Sequence, residues 1–456
     1  MLFNSWKFLA VFLPIVLIVG LGLLRGLPRI LFLIGSGFVF YAAAGVFHAI
    51  VLAAAILWVH FFVGRREVEP TAGRVMMAIA FPLGILFYFK YLGFFVRDVL
   101  HPLGFSLVPI PAIDDKTLPA GVSFFTFQLM SYAIDRKRGI IEKPLELSQF
   151  ALLIGFFPHL VAGPILRYRD IAAGLFRMPS WRLRLAAVPK PLTYICLGLA
   201  FKVLLADRLA AIIGPLIKQM KTLSHIDAAF VVLGYSYQIY FDFYGYSLIA
   251  IGLGLLFGLT FPANFDRPYN SKSPREFWRR WHITLSFWIR DYLYLPLGGN
   301  RQYVRNILIT FALFGLWHGA GWNYVIWGLY NAALVIGYHF SRERWDRMPG
   351  LVQVLLTFTL ISLGWLLFLF DFAGLTEFAR QIVSPVPLLH GITGAPEWAM
   401  LIVAAAIAYF VRVEIIAEQA CSTKRGSLIW GAGIGAVTFA VMLFLDLSAV
   451  FIYFRF

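Results

Sequence analysis

The sequence predicts an all-α, polytopic membrane protein with about ten to twelve transmembrane or re-entrant helices, a full crossing taking about 20 residues. Three observations predict it. The chain of 456 residues is 60% hydrophobic and only 14% charged, whereas a water-soluble domain carries about a quarter charged residues to cover its surface. Apolar runs long enough to cross a bilayer recur from one end to the other. Those runs are unbroken rather than alternating, as in 8–24, and of the two structures that satisfy the backbone in lipid this favours helices over barrel strands.

In order, the candidate segments are 8–24, 30–45, 47–63, 75–96, 118–134, 150–161, 191–216, 228–259, 307–340, 351–370, 398–413 and 428–451. The first follows Lys7, and 21–29 offers no small-residue cleavage pattern, so the segment reads as a retained first helix and not a removed signal peptide. The runs 228–259 and 307–340 exceed one span. Basic residues concentrate in 25–29, 65–74, 136–138, 342–347 and 424–425, which the positive-inside rule places in the cytoplasm. The loop 98–116 carries three Asp against one Lys and reads as external. Alternation from these anchors puts both termini outside the cytoplasm. No internal repeat, low-complexity stretch or domain boundary is visible, so 1–456 reads as one integral-membrane domain with a motif-rich core at about 118–330.

The formal charge is +16, from 39 Lys and Arg against 23 Asp and Glu. In a soluble protein that balance would point to nucleic acid. Here the basic residues flank apolar runs, where cytoplasmic loops and anionic lipid want them. The partner is the bilayer, not nucleic acid, and such a surface also attracts a cytoplasmic donor that carries phosphates. Cys196 and Cys421 lie in or beside apolar segments, which indicates neither a disulfide framework nor a metal cluster. The nine His are scattered without an i, i+4 pair, and no phosphate loop, nucleophile elbow or metal-ligand spacing occurs. No metal or permanently bound cofactor is expected.

His318, in Phe314-Gly-Leu-Trp-His-Gly-Ala320, is the first chemical candidate. No other Asp, Glu, Lys, Arg or His occurs from 307 to 327. An ionisable side chain at membrane depth is costly and is a functional hypothesis by default; as a neutral imidazole it can take a proton from a hydroxyl. The alternative is a His hydrogen-bonded between helices for packing. The second candidate is the stretch Ser273-Pro-Arg-Glu-Phe-Trp-Arg-Arg-Trp-His-Ile-Thr-Leu-Ser-Phe-Trp-Ile-Arg-Asp291. Ser273 and Glu276 fit a capping box, and Pro274 falls at the first helical position. Phe277, Trp281, Leu285, Trp288 and Tyr292 then make one apolar stripe at spacings of four, four, three and four. Arg279, Arg280 and Arg290 make it an amphipathic helix at the cytoplasmic face, with His282 beside the stripe. Its bland reading is an interfacial anchor in which His282 is incidental. The stretch Tyr294–Arg301 ends this helix; the spacing of Gly298 and Gly299 favours a plain turn, with an anion held by their amides as the alternative. The segment Phe157–Asp170 interrupts apolar sequence with Pro and Gly before two Arg, as broken helices lining a cavity do. Gln238, Tyr240 and Asp242, like Gln128 and Asp135, put polar groups in apolar segments. Each alone reads as interhelical glue; together they favour a polar interior, which suits an enzyme or a transporter.

Several strings then resemble the membrane-bound O-acyltransferase family, in its bacterial alginate O-acetyltransferase branch. They are Phe277-Trp-Arg-Arg-Trp-His-Ile-Thr-Leu-Ser286, Arg290-Asp-Tyr-Leu-Tyr-Leu-Pro-Leu-Gly-Gly-Asn-Arg301 and Gly315-Leu-Trp-His-Gly-Ala320, joined by Ser123-Phe-Phe-Thr-Phe-Gln128, Pro158–Asp170, Tyr237-Gln-Ile-Tyr-Phe-Asp-Phe243 and Asn264-Phe-Asp-Arg-Pro-Tyr269. The terminal Phe451-Ile-Tyr-Phe-Arg-Phe456 resembles the family's ending. The resemblance implies a helical fold around a central polar tunnel in a bacterial inner membrane, with His318 as principal catalytic residue and His282 as its companion. It implies an acyl thioester entering from the cytoplasm, acetyl-CoA or an acyl carrier protein, and an acceptor hydroxyl approaching from outside. The acceptor would be an exported polysaccharide or an extracytoplasmic partner of the SGNH-hydrolase type. Trp278 and Asn323 are expected to line the pocket, Arg279, Arg280 and Arg301 to meet donor phosphates, and Gln128, Gln238 and Asp242 to contribute polar lining. Two departures stand out: Leu248 follows Tyr244-Gly-Tyr-Ser247 where the family has Asp, and Phe368-Leu369 replaces its Phe-Arg after Gly364-Trp365, with Asp371 nearby. A D-alanyl transferase is the near alternative, although Pro296-Leu-Gly-Gly-Asn300 resembles the acetyl branch more. A proton-coupled transporter or flippase is the alternative from another class, and the paired repeats common in such folds are missing.

Overall fold

Helices that must satisfy their own backbone in lipid account for every regular element among the described residues. A computed structural model describes residues 1–65, 68–105, 118–161, 163–176, 178, 188–383, 391–419, 424–445 and 451. The elements that matter for the site are α1 (Lys7–Leu23), α2 (Gly26–Ala42), α3 (Val46–Gly64), α4 (Ala72–Leu103), α5 (Val122–Lys137), α6 (Leu147–Gly155), α7 (Tyr168–Leu175), α8 (189–218), α9 (His225–Phe257), α10 (Pro274–Arg280), α11 (Ile283–Ile289), α12 (Tyr303–His318), α13 (Trp322–Asp346) and α14 (Gly350–Leu369). Several pass through wide π turns, among them Phe87–Tyr91 in α4 and Phe201–Ala206 in α8. Such turns shift the register of the side chains that follow and are frequent at functional sites.

The axis of the molecule is α9. Its 33 residues extend about 50 Å at 1.5 Å per residue. Of its apolar window 89% is buried, against 22% for α4 and 33% for α3, so α9 is enclosed by other helices while α3 and α4 lie at the lipid perimeter. Close approach of α8 to α9 depends on small residues, as membrane helix packing generally does: a Cβ on Gly198 would stand 2.6 Å from the Gly245 carbonyl oxygen, and one on Gly245 would stand 2.6 Å from that of Gly198. The α12–α13 hairpin is equally tight, since a Cβ on Gly315 would run into the Tyr324 carbonyl and one on Gly328 into that of Phe311.

Two continuous runs are broken. The 273–291 stretch, expected as a single amphipathic helix, is split into α10 and α11, with His282 between them in the left-handed region at φ 44 and ψ 54. The break has a long-range cause: the chain at 264–266 pairs with it, Asp266 N–H donating to Arg280 O at 3.0 Å and Ile283 N–H to Asn264 O at 2.9 Å. Ser273 caps α10 by accepting from the Glu276 amide at 3.2 Å, but the Glu276 carboxylate reaches the amide of Lys272 (2.7 Å), not that of the cap residue. The stripe residues Phe277, Trp281, Leu285 and Trp288 are buried in the protein, not laid on a membrane surface. The run 307–340 is likewise two helices, turned at 319–321.

Among the described residues four helices are long and apolar enough to cross a membrane, and Ala395–Phe410 with Val413–Gln419, bent by 73°, makes a fifth if it is one span. That measure falls below ten to twelve because several candidate segments carry charges or are short. The run of α8 contains Lys202 and Asp207, and α12 has 16 residues. Much of the loop 98–116, Cys421 and the string after Phe451 lie outside the described residues, as do the side chains of Lys424 and Arg425.

Candidate active site

The last residue of α12 is His318, and only 2% of it is exposed. Its ring is walled by Phe314, one turn earlier on the same helix face, at a centroid distance of 4.6 Å, and by neighbouring Trp317 at 4.8 Å. Trp327 of α13 stands at 5.1 Å and Phe368, at the end of α14, at 5.2 Å. Four aromatic rings from three helices thus cage one imidazole. At 1.5 Å per residue, 15 steps along α12 set it about 22 Å from Tyr303.

The left-handed turn buries His282 completely. Its Nδ1 lies 3.1 Å from Asn264 Oδ1. That Asn264 atom also faces the backbone amide of Thr284 at 3.3 Å and its hydroxyl at 2.8 Å. A backbone N–H only donates, so the atom is the amide oxygen, and His282 Nδ1–H must donate to it. The neutral ring therefore keeps its bare lone pair on Nε2, which is buried with no hydrogen-bond partner among the described residues. The amide itself is fixed, because Asn264 Nδ2 donates to Ser247 Oγ at 3.0 Å and Ile165 N–H donates to Thr284 Oγ1 at 2.9 Å. A left-handed non-glycine residue costs of order 1–3 kcal/mol and persists only where its surroundings over-determine it, and this network does so.

The two histidines, 36 residues apart in sequence, meet at one indole. Trp317 lies 4.8 Å from the His318 ring and 6.2 Å from that of His282. On its other sides Trp317 meets Phe124 and Phe127 of α5 at 5.8 and 5.6 Å. Of the expected lining, Trp278 packs against the cage through Phe314 (5.3 Å) and Trp327 (5.8 Å). Gln128, one turn after Phe124, donates to Nδ1 of the buried His159 at 3.0 Å; nothing in the 157–170 string distinguishes this histidine from its apolar neighbours as a partner of Gln128. Asn323 donates to the carbonyls of Leu367 (3.2 Å) and Phe370 (3.5 Å), fastening α13 to the end of α14 that carries Phe368. Gln238 is half-buried on α9. Asp242 is placed elsewhere, in a buried ion pair with Lys202 at 2.5 Å, and Lys202 also meets Asp207 at 2.6 Å. Arg279 and Arg301 are exposed, and Arg280 pairs with Glu276 at 2.6 Å.

One residue near the site went unread in the sequence. Lys90, in the π turn of α4, donates from Nζ to the carbonyls of Trp317 (2.6 Å) and His318 (3.2 Å). It is the only charged residue from 75 to 96. At the start of the Arg290–Tyr294 turn an ion network gathers on Asp291, which takes Arg167 at 2.9 Å, Arg169 at 2.8 Å and Arg290 at 2.7 Å. Burial alone would raise the Asp291 carboxyl, but hydrogen bonds from Arg290 and Arg169 and the charge of Arg167 hold it below the ordinary carboxylate value. Arg138 stacks over Tyr292, whose hydroxyl donates to Asp135 at 2.7 Å.

Comparison with known proteins places this geometry. A model of the membrane-bound O-acyltransferase family matches residues 136–370, a stretch that holds both histidines, Asn264 and Thr284. The chain is 38% identical over 384 residues to the probable alginate O-acetylase AlgI of Pseudomonas aeruginosa, covering 81% of this chain and 72% of that one. It is 31% identical over 439 residues to the peptidoglycan O-acetyltransferase of Helicobacter pylori, covering 86% and 80% respectively. To the teichoic acid D-alanyltransferase of Bacillus subtilis it is 30% identical over 273 residues, 54% of this chain and 68% of the other. This multi-pass membrane protein is an acyltransferase and belongs to the membrane-bound O-acyltransferase family.

Proposed function

We propose that the protein moves an acetyl group from a cytoplasmic thioester, acetyl-CoA or an acetylated carrier protein, to a hydroxyl on an exported polysaccharide or on an extracytoplasmic partner acyltransferase. The observation that carries this reading is the meeting of two buried imidazoles at Trp317 inside the membrane part of the fold. Support comes from relatives whose names specify alginate, peptidoglycan and teichoic acid, all hydroxyl-bearing polymers. In this reading His318 accepts the proton of the acceptor hydroxyl as its oxygen attacks the thioester carbonyl. The tetrahedral alkoxide then collapses, the C–S bond breaks, and the leaving thiolate takes the proton back from His318. An ester and a free thiol result. Since Nε2 of neutral His282 accepts and does not donate, it does not stabilise the alkoxide; and because the attacking hydroxyl gives its one proton to His318, His282 holds another donor group of the bound substrates in place. The basic residues at the Arg290–Tyr294 end suit the donor's phosphates. The protein sits in a bacterial inner membrane with both termini outside the cytoplasm.

The test is label transfer from acetyl-CoA, and from an acetylated carrier protein, by purified protein in lipid, with alginate as acceptor and with a partner acyltransferase present. Thioester consumption with label on acceptor or partner is the expected result. A protein that consumes neither donor under any of these conditions overturns the acetyl-thioester reading and leaves another acyl group, such as D-alanyl, as the one transferred. Within an active preparation, Asn264→Leu should lower kcat about 100-fold, in the range seen when the group that orients a functional histidine is lost. Asn264→Asp, which keeps an acceptor for His282 and Thr284, should stay within about tenfold of wild type on the same principle. Equal activity in the Leu variant would sink the orienting role.

A further inference from the structure

We infer that Lys90 is a positioning residue for the catalytic turn: its side chain crosses from the perimeter helix α4 and clamps the end of α12 that presents His318. The inference rests on the acyltransferase reading of His318 but is carried by a separate observation.

Four carbonyls at the end of any helix lack intrahelical donors. At the end of α12 the chain leaves at once, Gly319 being extended, and the local bonds that follow are Gly319 N–H to Gly315 O at 3.3 Å and Gly321 N–H to Gly319 O at 3.1 Å. Neither reaches the carbonyls of Trp317 or His318. In lipid no water is available to satisfy them. Lys90 Nζ supplies both bonds, at 2.6 and 3.2 Å. A cation at this position also meets the negative end of the helix dipole, and bonds from an ammonium are stronger than neutral ones. The same Nζ lies 5.8 Å from the centroid of the Trp317 ring, within cation–π range. One side chain therefore holds the carbonyls of Trp317 and His318 and one face of the indole that the two histidines share.

The placement is specific. Lys90 falls inside the π turn Phe87–Tyr91, which shifts the register of α4 there. A lysine at membrane depth is costly unless it faces the protein interior and finds partners, and a leucine at position 90 would avoid that cost were packing all that was needed. Lys90 belongs to the long lipid-facing helix, so it also couples the tilt of α4 to the aim of His318.

The test compares Lys90→Met, which keeps length and removes the ammonium, with Lys90→Arg, which keeps a cation of similar reach. Wild type and both variants are assayed in lipid for kcat and KM with acetyl-CoA, for melting temperature, and for hydrogen exchange over 315–321. Lys90→Met is expected to lower kcat at least tenfold with KM within twofold, to leave melting within a few degrees, and to raise exchange over 315–321 severalfold. Lys90→Arg should recover at least a third of kcat and most of the protection. Unchanged kcat and exchange in Lys90→Met overturns the inference. So does a loss of kcat that only follows a lost fold and that Arg does not rescue. If the wild type itself transfers nothing from acetyl-CoA, the acetyl-CoA reading of the proposed function fails, and the exchange comparison still decides whether Lys90 clamps the turn.

Discussion

Replacing His318 with alanine should lower kcat/KM for acyl transfer by about 10³-fold, in the middle of the range for losing a general base. The size follows from the surroundings. The ring is buried behind Phe314, Trp317, Trp327 and Phe368, so bulk water has little access to take over as base. Alanine also opens a cavity among four aromatic rings, and large-to-small changes in a core destabilise by some 2–5 kcal/mol. A loss of activity in that variant alone would thus mix chemistry with packing. His318→Phe separates them, because a phenyl ring refills the cage without any nitrogen. If both variants lose transfer while His318→Phe melts near wild type, the imidazole is required for its chemistry. If His318→Phe retains transfer, His318 is a packing residue and another group must be the base; His282, with its bare Nε2, would be the first to examine.

How far the sequence foretold this site depended on whether the signal was local. His318 was legible because an isolated imidazole in an otherwise apolar run has no cheap explanation in lipid. Lys90 carries the same signal less clearly, since a lone lysine in a span can snorkel its charge toward headgroups; the fold turns it inward to two carbonyls. The aromatic stripe from Phe277 to Trp288 read as one helix, because spacings of three and four satisfy any helix that contains them. What breaks it at His282 is pairing with 264–266, a long-range contact with no trace in helical periodicity. The same holds for Asn264, which the motif strings contained but whose bond to His282 only the fold reveals. Asp242 was grouped with Gln238 as interior lining because both interrupt apolar sequence; its partner Lys202 lies 40 residues earlier, beyond any pattern that periodicity can register. The all-helical membrane class needed none of these contacts, since composition and run length determine it.

Replacing Lys202 with methionine should destabilise the protein by about 3–5 kcal/mol, the cost of breaking a buried ion pair from one side. The side chains of Lys202, Asp207 and Asp242 are each only 3% exposed. Residues 202 and 207 face the same way because the Phe201–Ala206 π turn brings i and i+5 into line, and Asp242 answers from α9. The lysine thereby fastens α8 to α9 close to where Gly198 and Gly245 let the two backbones touch. Without it two carboxylates share a dry space, so lower melting temperature and poor recovery from detergent are expected of Lys202→Met. The triple variant Lys202→Met, Asp207→Asn, Asp242→Asn removes all three charges at nearly constant volume, and neutral replacements of buried charge clusters are often tolerated. It should recover most of the lost stability. Its activity then decides what Asp242 is for. Near wild-type acyl transfer in the triple variant makes the cluster a helix tie and nothing more. A well-folded triple variant that binds acetyl-CoA poorly would instead restore Asp242 to the polar pocket lining that its place in the motif strings implies. A Lys202→Met protein as stable as wild type would show that the cluster does not hold α8 and α9 together at all.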